Sequence, residues 1–345
     1  MRLDQATRLG APQDRVQREA WLCLAQTGQM AQAGPHLGEL LLSPGDDGPA
    51  ICEAYVAGYV VLHRFAEASG LLDGWLADYP NDEQAWFFRG QIDAASNRLT
   101  LATESYEKAL IINPRRDDIR VVYAETLVKL RQLDAAKREY ERLLKSSGNS
   151  EDVLRGWIRW LEEAGRTREA ISASRKLIGI AEDNFNARLQ LADLLYQNGD
   201  YKESRAVLEK LRTESPRNKD VRFTLGSVLR LMGDADAARE HLEYAQEAEA
   251  ELARVTSLVA RLQEHPGDLQ LRHTVAKTLM TYGREEEGIH WLHSIFAYDP
   301  DDIPALETLI GYLESTGQSD KAKPYRERLF RVKEKQPATS RDRHP

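Results

Sequence analysis

The sequence is poor in cysteine and in long apolar runs, and it has no excess of positive charge. Cys23 and Cys52 are the two cysteines among 345 residues, too few to staple a disulfide scaffold and without the paired spacing of a structural zinc site. Both lie in apolar helical surroundings and read as plain buried thiols. No stretch approaches the roughly 18 apolar residues of a membrane span, and Met1 is not followed by the apolar core of a signal peptide. The cytoplasm is therefore the expected location. An extracytoplasmic or membrane-anchored one stays open if sequence is missing upstream, because LDQATRLG at 3–10 resembles the closing half of a unit whose opening half is absent. The formal net charge of −8 removes the excess of Lys and Arg on which phosphate-backbone binding rests, so no nucleic-acid partner is expected. Catalytic signatures are missing too: there is no glycine-rich phosphate loop, HExxH, GxSxG or CxxC.

What the chain does have is a period. With 42% hydrophobic and 30% charged residues, it has the composition of a folded protein with charged helix faces. Pro80 and Pro114 close similar amphipathic runs 34 residues apart; Pro216 follows three such periods later, and Pro300 after two more plus 16 residues. Alignment on these prolines gives units over 14–47, 49–82, 83–116, 117–150, 151–184, 185–218 and 219–252, an extension over 253–268, and units over 269–302 and 303–336. Residues 1–13 read as a remnant helix or cap, and 337–345, without apolar periodicity, as a disordered tail.

The twentieth residue of each unit is small: Ala33, Ala68, Ala102, Ala136, Ala170, Ser204, Ala238, Gly288 and Ala322. Chance would place a small residue nine times running on the order of a few times in a million. Near the fifteenth position stand Gly28, Gly165, Gly199, Gly233, Gly283 and Gly317, with Asn97 in the same role, residues that tolerate the left-handed backbone closing a helix. Each unit thus reads as two helices, with the small residue letting the second lie close against the first.

A unit of this length and pattern resembles the tetratricopeptide repeat. Glu83 to Arg116 is the best copy, with Trp86, Gly90, Ala94, Ala102, Tyr106, Ala109 and Pro114 where the family carries its aromatic, small and proline residues. Trp21, Arg89 and Asp183 depart from the pattern. The resemblance implies an all-α class: an α-solenoid of about nine helix-turn-helix repeats in a right-handed superhelix, with one extended helix. It also implies a non-catalytic scaffold or adaptor without cofactors, holding a protein or peptide segment on the inner face. Carried over position by position, that face holds Phe87, Phe88, Gln91, Val121, Val122, Glu125, Lys129, Arg155, Arg159, Tyr196, Phe223 and Arg230. Phe87, Phe88, Val121 and Val122 are expected to anchor apolar side chains, and Arg155 with Arg159 to take an acidic segment. Chaperone-binding members grip a terminal carboxylate with Lys and Asn at the fifth and ninth positions. Here those places hold Arg18 and Leu22, Glu53 and Ala57, then Phe87 and Gln91, so that clamp is not expected.

From Asp236 the chain runs without a breaker to Pro266, which predicts one long helix to about Gln263. Leu252, Val255, Val259 and Leu262 continue a narrow apolar seam of coiled-coil spacing. Two covers suit it: the following unit of the same chain, or a partner or second copy docking on it. His273, His290 and His293 form the one cluster with metal-ligating chemistry, but the repeat register sends His273 to the inner face and the other two away from it. No metal is expected there.

Overall fold

The fifteenth residue of each repeat is where the chain breaks one helix and starts the next. Gly28, Gly165, Gly199, Gly233, Gly283 and Gly317 adopt φ between 69° and 89°, and Asn97 does so at 56°. The two repeats lacking Gly or Asn there hold the same conformation with His63 (56°) and Arg131 (60°), at a steric cost that Gly does not incur. Six helices have a further device at their starts, five of them first helices and one, after Asp234, a second helix. Asp82, Asn184, Asn218, Asp234, Asp268 and Asp302 accept from backbone N–H groups of the helices they precede, satisfying donors that have no intrahelical partner.

The structure, a computed structural model, describes Gly10 and residues 12–335. Most of the expected N-terminal remnant and all of the expected tail lie outside the described residues. Contacts divide the chain into two bodies at Glu182 and Asp183. The first contains α1 (Gln13–Gln26), α2 (Met30–Ala33), α3 (Leu37–Leu42), α4 (Gly48–Val61), α5 (Phe65–Asp78), α6 (Glu83–Ala95), α7 (Leu99–Ile112), α8 (Asp117–Lys129), α9 (Leu133–Ser147), α10 (Glu151–Glu163) and α11 (Thr167–Ile180). The second contains α12 (Phe185–Asn198), α13 (Tyr201–Glu214), α14 (Lys219–Leu231), α15 (Ala235–Glu264), α16 (Leu269–Thr281), α17 (Glu285–Phe296), α18 (Ile303–Ser315) and α19 (Ser319–Lys335). Among the described residues there is no strand, and each body is an all-α array of helix pairs.

All nine small residues at the twentieth position are buried. They let the paired helices approach closely, and core clusters form where successive pairs meet. In the first body, Val56, Leu72, Trp75, Ala85 and Phe88 share one such cluster; in the second, Leu208, Leu211, Val221 and Leu225 share another. The first repeat is irregular because Pro35 cannot donate its backbone nitrogen within a helix. Its second helix breaks into α2, a 3-10 turn at Gly34–His36, and α3. Tyr55 Oη donates to the carbonyl of Ala33 at 2.6 Å, satisfying an acceptor at the break. Trp21, unusual for its position, stacks on His36 at 3.9 Å. Cys52 is buried and Cys23 exposed, which corrects the reading of both as buried thiols: α1 turns Cys23 away from the face that buries Leu22 and Ala25.

A second recurrent device ties four of the turns to the helix that follows. Trp86 Nε1 donates to the carbonyl of Pro80 (3.0 Å), Arg120 Nη2 to Pro114 (2.6 Å), Arg222 Nε to Pro216 (2.9 Å) and Arg272 Nη2 to Pro266 (2.7 Å). Each donor is the fourth residue of its repeat, six after the proline. The turn carbonyl sits outside any helical ladder, and an unmatched acceptor costs free energy once buried.

The long helix exists: α15 has 30 residues, a rod of about 45 Å. Its seam is covered within the chain. Val255 and Leu262 are buried against Leu271, Val275 and Leu279 of α16, with Leu252 and Val259 half-buried beside them. Of the two covers the seam suits, the following unit is the one present: α16 folds back along the overhang and takes the apolar face itself, which corrects the alternative of Leu252, Val255, Val259 and Leu262 as an open docking surface.

Candidate functional site

The exposed faces of the first helices are where the repeat pattern places a binding surface, and the side chains there differ in how available they are. Phe88 is 8% exposed. Its ring lies 6.2 Å from that of Trp75, and it belongs to the core shared with Leu72 and Ile92. That corrects its assignment to the binding face, since one residue step along a helix turns the side chain by about 100° and carries Phe88 inward. Phe87 is half-buried, 6.1 Å from both Phe88 and Tyr106, with the Arg116 guanidinium 5.9 Å from its ring. Val122 packs beside Tyr106 and Leu110, and Val121 is half-buried. The four expected apolar anchors are therefore mostly occupied inside the chain.

The polar members form a ladder on the first body. The ninth residues of three successive repeats are Gln91, Glu125 and Arg159. Arg159 Nη1 stands 4.0 Å from Glu125 Oε1. Arg155, one turn earlier on α10, donates to Glu151 (2.6 Å) and lies 3.8 Å from Asp152, while Lys129 is exposed. Both arginines are about half-exposed, so these ion pairs are solvated and weak and an incoming carboxylate could exchange for them.

On the second body, Tyr196 is half-buried, 6.2 Å from Tyr201, and Arg230 is exposed. Phe223 is 58% exposed. It opens onto a cleft of about 730 Å³ between α14 and α15, lined also by Leu242, Ala245 and Ala253. The residue-by-residue carry-over named Phe223 but missed the cleft, whose other wall is α15. Also on α15 is His241, buried and with Nδ1 unpartnered. Burial, then the nearby Arg222, hold its pKa below the ordinary imidazole value. Across the same helix layer, Thr224 Oγ1 donates to Asp193 at 2.8 Å, and burial raises the Asp193 carboxyl despite that bond.

The histidine cluster is dispersed. His273 Nε2 lies 2.8 Å from Thr308 Oγ1, His290 is exposed, and the His293 ring meets Phe296 edge-on at 6.0 Å. Among the described residues no three His, Cys, Asp or Glu side chains are arranged to hold a metal ion, and no helix is long and apolar enough to cross a membrane.

Comparison with known proteins agrees with this geometry. Three family profiles described as tetratricopeptide repeat match residues 93–155, 161–214 and 198–262, residues 248–332, and residues 58–117. No curated protein matches the chain. Among solved structures, a tetratricopeptide repeat protein from Parabacteroides merdae is similar at 16% identity and a TM-score of 0.51, over 66% of this chain and 90% of that one. The C-terminal part of a repeat-containing protein from Cytophaga hutchinsonii is similar at 16% identity and 0.51, over 74% and 98%. PilF of Pseudomonas aeruginosa is similar at 18% identity and 0.50, over 60% and 98%. At such identities the structures speak for the fold alone, whereas the profile matches, set on the buried small residues and left-handed turns described above, show that this chain belongs to the tetratricopeptide repeat family.

Proposed function

We propose that the protein is a non-catalytic scaffold that holds a segment of a partner protein along the first-helix face of its N-terminal body. Tetratricopeptide repeats generally mediate protein–protein interaction, and one observation supports this placement: Gln91, Glu125 and Arg159 repeat at one position across three helix pairs, with Arg155 and Lys129 beside them. An extended segment laid across the pairs meets a new polar side chain at each repeat. The arginines supply charge-assisted hydrogen bonds to carboxylates of the partner, and Phe87 and Val121, at the equivalent fifth positions, supply partial apolar contact.

The test is affinity capture from native extract by the full chain, with mass spectrometry of the captured proteins, set against Arg155→Glu/Arg159→Glu. Both side chains are exposed and their pairs solvated, so the helical circular dichroism signal is expected to be unchanged while recovery of the partner falls at least tenfold. Equal recovery of the same partner by both proteins would remove this face from the proposal.

A further inference from the structure

The cleft beside Phe223 has a filled counterpart in the first body. In the repeat beginning at Glu83, the fifth, twenty-fourth, twenty-seventh and twenty-eighth residues are Phe87, Tyr106, Ala109 and Leu110. The next repeat closes over them with Ile119, Val122 and Tyr123 of α8. In the repeat beginning at Lys219 the same four positions are Phe223, Leu242, Ala245 and Gln246, and they line the open cleft. Phe87 is half-buried, whereas Phe223 is 58% exposed.

The length of α15 explains the difference. Because the helix overruns, α16 packs on the overhang rather than beside α14. Only its last turn comes back to the loop before α14, where Arg217 Nη1 donates to the Met280 carbonyl at 3.2 Å and Tyr244 Oη donates to the Arg217 carbonyl at 3.1 Å. The place that α8 fills against α6 and α7 is left open against α14 and α15.

We infer that this cleft seats an amphipathic α-helix of a partner protein, bearing large apolar residues at i, i+3 and i+4 and Lys or Arg on its flanks. The spacing follows from Ile119, Val122 and Tyr123, which fill the equivalent place within the chain. Ala250 and Ala253, further along the wall, leave room for bulky side chains. The flanking charge follows from the rim: Asp220 and Glu249 both reach Lys219, two carboxylates against one ammonium, so the rim is net acidic. A second copy of this chain is a poorer fit. Its most basic helix, α19, has Phe330 as its one exposed large apolar side chain, while Tyr325 is stacked on Phe296 at 6.1 Å. One anchor would have to serve where the cleft has room for three. This inference rests on the scaffold reading and adds a second binding face on the other body.

The test is fluorescence anisotropy of the full chain with a fluorescein-labelled, alanine-based 18-residue peptide carrying Ile, Val and Tyr at i, i+3 and i+4 and Lys on its far face. The peptide is expected to bind and to gain helical signal. Phe223→Asp and Ala253→Lys, both at exposed positions, should each weaken binding at least tenfold, and exchanging the peptide's Lys for Glu should weaken it about fivefold at low salt. Absence of binding at 100 µM peptide, or binding that neither variant weakens, overturns the inference. So would light scattering that shows the chain self-associating at micromolar concentration and dispersing on Phe223→Asp, because a second copy would then be the occupant. Arg155→Glu/Arg159→Glu should leave the peptide isotherm unchanged, so failure of the cleft and failure of the N-terminal face are read separately.

Discussion

Removing the carboxylate of Glu139 should cost the first body about 3 kcal/mol, the lower end of the range for breaking a buried ion pair. Arg120 Nη1 and Glu139 Oε2 are 2.5 Å apart, with the two side chains 9% and 12% exposed. The same guanidinium holds the Pro114 carbonyl at 2.6 Å and lies 4.0 Å from Asp117, while Arg142 reaches Glu139 at 3.0 Å. Glu139→Ala leaves the guanidinium in place with one carbonyl and a distant carboxylate, which offsets part of the loss and argues against the full 5 kcal/mol. Replacing both partners should cost less: Arg120→Met with Glu139→Leu removes both desolvation penalties but leaves the Pro114 carbonyl without its donor, so a loss of about 1–2 kcal/mol is expected, short of the single variant. Urea unfolding followed by circular dichroism would read both, with hydrogen exchange at α8 and α9 to report the local loss, since repeat arrays can unfold in parts. A loss below 1 kcal/mol for Glu139→Ala, or a double variant as unstable as the single one, would refute the reasoning.

Two glycine exchanges should have opposite signs. Gly90→Ala would gain about 1 kcal/mol in an open helix, but a Cβ there overlaps the buried Tyr106 ring, so a net loss of about 0.5–2 kcal/mol is expected after overpacking. Arg131→Gly should gain about 0.5–1 kcal/mol by relieving the left-handed backbone, less the small value of the exposed Arg131–Glu163 pair. Urea midpoints that move together would contradict the geometry. His241 should give the second body a pH dependence. Burial and Arg222, with Arg212 adding to them, depress its folded pKa, and Glu240 and Glu209 oppose them. The folded state therefore favours the neutral ring. Its contribution is present above the unfolded value near 6.5 and is lost as pH falls from there through the folded pKa. His241→Asn should flatten the difference in urea midpoint between pH 7.5 and 5.5; an unchanged difference would assign that slope to other groups.

The period, the two-helix repeat and the long helix were legible because each is a local pattern: small residues every 34 positions, glycine at the turn, no breaker over 28 residues. Availability was not. Phe87 and Phe88 are adjacent letters of one type, and only packing against Trp75 sends Phe88 into the core. The seam of Leu252, Val255, Val259 and Leu262 announced that it needed a cover, but the cover is a neighbouring helix whose path depends on the turn at Pro266. The proline-binding arginines were hidden for a different reason. Arg120, Arg222 and Arg272 look like solvated charges in the sequence, and their acceptor is a backbone carbonyl that letters do not show. The Asp and Asn caps before five of the first helices, Asp82, Asn184, Asn218, Asp268 and Asp302, are a local pattern that the letters do show.

Sixteen extra residues are not a whole number of helical turns. At 100° per residue they advance the winding of α15 by about 160° beyond complete turns, and they carry the chain about 24 Å along the axis. Leu262 therefore meets Leu271 nine residues on, as Leu110 meets Ile119, but from nearly the opposite side of its rod. The phase of the overhang thus selects which face of α15 receives the last two repeats, and the contacts of α16 with it, Leu262 with Leu271 among them, hold them there. Removing seven residues from the overhang would slide them by about two turns with little rotation, and removing two would swing them by about 160°.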